Sequence, residues 1–197
     1  LMTLTNSGNV GIGTTSPYAK LSVVSGVTDN SDVFVVSTST TGAIFRVTGY
    51  GNVVADGTIT GGGADYAEYF YSQYTNLEPG EIVCIDLTLP NAVKRCYRGH
   101  DNNVMGIVST KPSILGNSTA AVRNDPSHYA IIGMLGQVNA LVSAENGPIN
   151  IGDSLTSASS TPGYAMRADG GDSTVGVALE PLQSGIGKIK VLISRRN

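Results

Sequence analysis

Asp65 and Glu68 stand three residues apart in Ala64-Asp65-Tyr66-Ala67-Glu68-Tyr69-Phe70-Tyr71. Paired carboxylates can act as acid and base. At this spacing they share a face only in a helical turn. Otherwise the segment is expected to be a short turn in which they cap backbone amides or pair with Lys or Arg. Cys84 and Cys96 are the only cysteines, and His100 and His128 the only histidines. These four could nominally ligate zinc. They lack Cys-x-x-Cys or His-x-x-x-His spacing, so ordinary loop histidines and no metal site are expected. There is no Gly-x-Ser-x-Gly elbow and no phosphate-binding loop ending in Lys-Ser or Lys-Thr. No cofactor is expected.

The aromatic residues Tyr66, Tyr69, Phe70 and Tyr71, with Tyr74 beyond, form the densest such cluster in the chain. Tyrosine carries a large apolar body and a polar tip, which suits a subunit interface. The same rings could stack on a surface glycan, so a binding module is a further reading. Gly61-Gly62-Gly63 precedes the cluster. Glycine is costly in strands and helices alike, so a hinge and a boundary are expected there.

These residues must be positioned by β structure. The 197 residues include 25 glycines, no Trp and only 14% charged residues. No amphipathic helix of three or more turns is legible, and no apolar run is long enough to cross a bilayer. A net charge of −3 gives no reason to expect nucleic acid. Only 194–197 is locally basic, which reads as a solvated tail. A chain that begins at Leu1 is expected to be a processed product or a fragment.

Residues 1–60 read as short strands with no helix to cover them. Leu4 and Val10 flank an Asn-Ser-Gly-Asn turn, and a similar pattern returns 43 residues later at Gly51-Asn52-Val53. Isolated hairpins are marginal in water. Several copies wrapped together would supply the missing core. Gly8-Asn9-Val10-Gly11-Ile12-Gly13-Thr14-Thr15-Ser16-Pro17, followed by Lys20-Leu21-Ser22-Val23, resembles a motif of bacteriophage tail fibres and large bacterial surface proteins. The resemblance implies the shaft of a parallel homotrimer outside the cell.

A second resemblance begins at Ala64-Asp65-Tyr66-Ala67-Glu68-Tyr69-Phe70 and continues at Gly106-Ile107-Val108-Ser109-Thr110-Lys111-Pro112. It is similar to the self-cleaving C-terminal domain of phage neck-appendage proteins, classed with the glutamic peptidases. This implies a domain that aids trimerisation and then cuts itself free, with Asp65 and Glu68 as candidates for the chemistry. Asn117-Ser118-Thr119 fits the glycosylation pattern, but in a phage or bacterial protein it would be idle.

Beyond the hinge, one hairpin pattern occurs twice. Gly80-Glu81, a strand, a tip, a returning strand, a turn and Val104-Met105-Gly106-Ile107 form the first copy. Gly152-Asp153 through Val175-Gly176-Val177 form the second, offset by 72 residues at the start and 70 at the end. With the tip at Leu89-Pro90-Asn91, Asp86 would face Lys94 and Cys84 would face Cys96. Whether the cysteines form a disulfide or stay as two buried thiols is left open.

The chain is thus expected to be all-β. A thin trimeric stalk (1–60) precedes a compact barrel or sandwich head with an internal hairpin pseudo-repeat (61–197). The leading function is a structural part of an extracellular homotrimeric fibre, on a virion or a bacterial surface. Its partners would be itself and a cell-surface receptor or glycan. The alternative is an autoproteolytic trimerisation domain.

Overall fold

The computed structural model describes residues 1–196, without the side chain of Arg123. Asn197, in the basic tail, lies outside the described residues. The chain divides into two compact units, Leu1–Thr60 and Gly61–Asn197.

The first unit holds two small sheets. One contains β1 (Met2–Leu4), β2 (Val10–Ile12) and β3 (Leu21–Val23), with β1 antiparallel and β3 parallel to β2. The other contains β4 (Asp32–Thr38), β5 (Gly42–Thr48) and β6 (Val53–Ala55), all antiparallel. The turn after β1 recurs after β5. Thr5 N donates to Asn9 O and Gly8 N to Thr5 O, just as Thr48 N donates to Asn52 O and Gly51 N to Thr48 O. Neither sheet buries a core of its own. Phe34, Val35 and Val36 are all exposed although consecutive strand residues point to opposite faces.

The second unit contains β7 (Asp65–Tyr71), β8 (Ile82–Ile85), β9 (Val93–Arg95), β10 (Val104–Val108) and β11 (Ile114–Gly116). A loop with a short helix, α1 (Ala120–Asn124), and a 3-10 turn (Pro126–His128) follows. Then come β12 (Tyr129–Ser143), β13 (Ser154–Ser157), β14 (Ala165–Arg167), β15 (Thr174–Ala178) and β16 (Ile186–Arg196). The residues read as a basic tail therefore continue a strand as far as Arg196, where Thr174 pairs with it.

The two hairpin copies fold alike. Val83 faces Arg95 and Gly106, as Leu155 faces Arg167 and Gly176. Gly80 N donates to Val108 O in one copy, and Gly152 N to Ala178 O in the other. The second copy closes into a five-stranded barrel in the order β12, β16, β15, β13, β14, sealed by Val142 against Ala165. The first copy curls the same way through β7, β12, β10, β8 and β9, and a single bridge from Tyr71 to Ala92 brings its ends together. Strand β12 belongs to both.

Alternation explains what fills the interior. Ile82, Ile107, Val142, Leu155, Val175 and Ile193 form one buried cluster spanning both copies. Val83, Val93, Val108 and Ile132 form a second, capped by Phe70 and Leu77. Gly106 and Gly176 occupy equivalent places because a Cβ at either would collide with the adjacent strand, 2.5 Å from Ile132 Cγ2 or from Leu192 O.

Glu81 receives Arg95 through two bonds, from Nε at 2.8 Å and from the terminal guanidinium nitrogen at 2.9 Å. Arg95 also donates to Asn76 O, and Glu81 caps the amide of Glu78. In the second copy Asp153 caps Asn150 in the same way.

The hairpin register differs from the sequence expectation by two residues. Cys84 faces Lys94, and Asp86 lies beside Ala92. The loop begins earlier because Asp86 folds back to accept from the amide and hydroxyl of Thr88, while Asn91 adopts a left-handed conformation. A two-residue slip keeps every side chain on its face. Cys84 and Cys96 are therefore joined diagonally across the ladder, with Cα atoms 5.1 Å apart. Asp86 still reaches Lys94 at 3.6 Å.

Candidate functional site

Asp65 is the first residue of β7. Its neighbours are set by two flanking segments. On one side Gly136 of β12 is its register partner; on the other, Ser113 N donates to Asp65 O at 2.7 Å. Two glycines in β12 make the room. A Cβ on Gly133 would lie 3.0 Å from Asp65 Oδ2, and one on Gly136 would lie 2.3 Å from Ala64 O. A bulge between Gly133 and Leu135 bends the strand at this point.

The Asp65 carboxyl is only 4% exposed, and its Oδ2 has no hydrogen-bond partner. Burial pushes it above the ordinary carboxylate range, and the neighbouring Ser109 hydroxyl only partly offsets that rise. A buried carboxyl left without a full set of partners is costly, and such groups cluster at functional sites. It borders a cleft of about 370 Å³ lined by Gly62, Gly63, Ser109, Lys111, Asn139 and Lys190, among others.

The triple glycine is not a free hinge. A Cβ on Gly61 would fall 1.9 Å from Ser113 Oγ, and one on Gly63 1.9 Å from Lys111 O. The backbone of 61–63 lies against 111–113, and only glycine allows that approach. The stretch is thus held beside Asp65.

Glu68 lies elsewhere. The segment is a strand, not the turn expected, so residues three apart point to opposite faces. Glu68 accepts from Tyr66 OH at 2.5 Å, a bond that holds the phenol above its usual pKa. Within one chain, Asp65 and Glu68 do not form a pair.

The aromatic cluster splits the same way. Tyr66 is exposed in a row with Leu135 and Ile114 across three strands. Phe70 packs on the second core cluster, Tyr71 stacks on His128 with ring centroids 5.9 Å apart, and Tyr74 meets Tyr97. Tyr69 is gripped through its backbone: its amide donates to Asn117 Oδ1 at 2.7 Å, and its carbonyl accepts from Asn117 Nδ2 at 3.0 Å. The glycosylation-like asparagine is thus already used within the fold.

His100 does not approach the cysteines, which are joined to each other. It bonds Asp172 at 2.7 Å, and Asp169 completes a small polar group with them. Sequence reasoning missed Ser109, Lys111, Gly133, Gly136 and Lys190 as members of the site. The signal for the glycines was present, since Gly133 and Gly136 interrupt an otherwise apolar strand, which marks a bulge or a close approach.

The arrangement defines a β-rich domain with a buried carboxyl at the edge of a cleft that residues 62–64 of the same chain help to line. Residues 20–125 match Peptidase_G2, the IMC autoproteolytic cleavage domain, and the chain belongs to that family. No curated protein matches the sequence. The fold is similar to that of the pre-mature bacteriophage phi29 gene product 12, at 16% identity and a TM-score of 0.56, over 77% of this chain and 24% of that one. The chain therefore spans about a quarter of that protein's length. The C-terminal fragment of the same gene product overlaps 66% of this chain and 100% of its own, at 17% identity and a TM-score of 0.46. The N base of the phi29 head fiber gp8.5 overlaps 65% and 92%, at 15% identity and a TM-score of 0.39. Among the described residues, no helix is long and apolar enough to cross a membrane.

Proposed function

We propose that this chain is the self-cleaving segment of a homotrimeric phage fibre, and that it hydrolyses its own backbone between Gly61 and Ala64. One observation carries the reading: a buried Asp65 carboxyl, its Oδ2 without a hydrogen-bond partner, beside a glycine-only stretch of the same chain. Asp65 is the acid–base group. Cleavage there would release residues 1–60, the fibre shaft, from the head. Membership of the autoproteolytic family supports this reaction over a purely structural role.

Trimer formation is supported by the first unit, whose strands leave Phe34, Val35, Val36 and Ile44 exposed with no core of their own. In the second unit, Tyr66, Leu135 and Ile114 would pack against a second copy, and Glu68 faces the same side as Tyr66. The fibre is virion-borne and works outside the host cell.

The test is intact mass of the full chain over time, beside light scattering. A trimer yielding two fragments that meet within 61–64, with Asp65→Asn uncut, is expected. A wild-type trimer that stays intact would overturn the reading.

A further inference from the structure

We infer that Lys111 is a second catalytic residue of the self-cleavage, its ammonium stabilising the oxyanion formed on the 61–64 backbone. The inference rests on the self-cleaving reading above.

Three observations carry it. First, Lys111 is over the right atoms. A Cβ built on Gly62 would lie 3.6 Å from Lys111 Cε and 3.9 Å from Nζ. Second, its backbone is fixed. Lys111 O packs against Gly63, and Ser113, two residues on, donates its amide to Asp65 O. The lysine and the carboxyl are thus tied to one short stretch of backbone. Third, its charge is unspent. Among the described residues Lys20 bonds Ser7 O, Lys94 pairs with Asp86 and Lys188 bonds Pro79 O. The ammonium groups of Lys111 and Lys190 have no such partner, and both residues line the cleft with Asp65.

The step balances with water as the only co-reactant. The Asp65 carboxylate takes a proton from water as the water oxygen bonds to a carbonyl carbon within 61–64. The carbonyl electron pair moves to oxygen, giving an oxyanion beside the Lys111 ammonium. The tetrahedral carbon then expels the amide nitrogen, which takes the proton from Asp65. The C–N bond breaks, leaving a carboxylic acid and an amine, and proton exchange between them gives a carboxylate and an ammonium. Donors aimed at a developing oxyanion commonly contribute about 10²–10³-fold in rate.

The experiment follows cleavage of the refolded full chain by intact mass, for wild type, Asp65→Asn, Lys111→Met, Lys111→Arg and Lys111→Ala. Lys111→Met is expected to cut roughly 100-fold more slowly at an unchanged thermal midpoint. Lys111→Arg should recover part of the rate, and added ethylammonium should accelerate Lys111→Ala. A role in folding alone would show neither recovery. Lys111→Met cutting at the wild-type rate, or slowed without recovery in either arm, overturns the inference while the self-cleaving reading stands. Wild type that never cuts removes both.

Discussion

Replacing Arg95 with methionine strands a buried charge, and its cost can be set from the geometry. The Glu81 side chain is 8% exposed and that of Arg95 17%. Two short bonds join them, and Arg95 also holds Asn76 O. Water cannot replace the guanidinium at Glu81, so removing one partner should cost about 3–5 kcal/mol. That is a large part of the roughly 5–15 kcal/mol that holds a typical domain together. Changing both residues to methionine should recover much of the loss, because the desolvation of both charges disappears as well. The second hairpin copy supplies the control. Arg167 occupies the matching register position opposite Leu155 and makes no ion pair among the described residues. Arg167→Met should therefore cost less than about 1 kcal/mol. Urea unfolding followed by circular dichroism measures all three. A loss below about 1 kcal/mol for Arg95→Met, or a double variant no better than the single one, would refute the reasoning.

The Cys84–Cys96 disulfide predicts no free thiol under denaturing conditions without reductant, and reduction should lower stability by roughly 2–3 kcal/mol, the range for so short a loop. Burial raises the folded pKa of Asp65 above its unfolded value, so the ionised carboxylate destabilises the fold at neutral pH and that cost fades as pH falls through the raised pKa. Asp65→Asn should therefore gain stability relative to wild type near pH 7, with the gain shrinking toward pH 3.8 in a pH series of urea melts; a pH-independent difference would refute it. Gly106→Ala and Gly176→Ala each drive a methyl into the neighbouring strand, and each should lower stability by about 1–3 kcal/mol in the same assay.

The all-β class and the doubled hairpin were legible because both rest on local pattern. Gly80-Glu81 and Gly152-Asp153 carry the same turn chemistry, and Gly106 and Gly176 the same strand crossing. Register was harder. The Asp86 side chain, by folding onto Thr88, moved the hairpin tip, and hydrophobic alternation cannot detect a two-residue slip that leaves every face unchanged. The local geometry at Asp65 and Glu68 was misread for a related reason: three-residue spacing suggests a shared face only in a helix, and the aromatic segment became a strand through pairing with β12, 60 or so residues away. Ser109, Lys111 and Lys190 join the site through β10, the segment after it, and β16. Ser109 and Lys111 fall within the motif shared with the self-cleaving domain, but nothing in the sequence says that they or Lys190 would meet Asp65.

Because β12 belongs to both hairpin copies, the fold has a built-in order of assembly. Asp65 rests on Gly136 at the middle of β12, and the far half of that strand pairs with β16 along residues 136–143. Lys190, on β16, forms one wall of the cleft. During synthesis the strand carrying Asp65 emerges more than a hundred residues before that wall exists. A reaction that needs the completed cleft must wait until residues 186–196 have been made and paired. On the self-cleaving reading, the shared strand would act as a clock, tying the proposed cut to the completion of the fold.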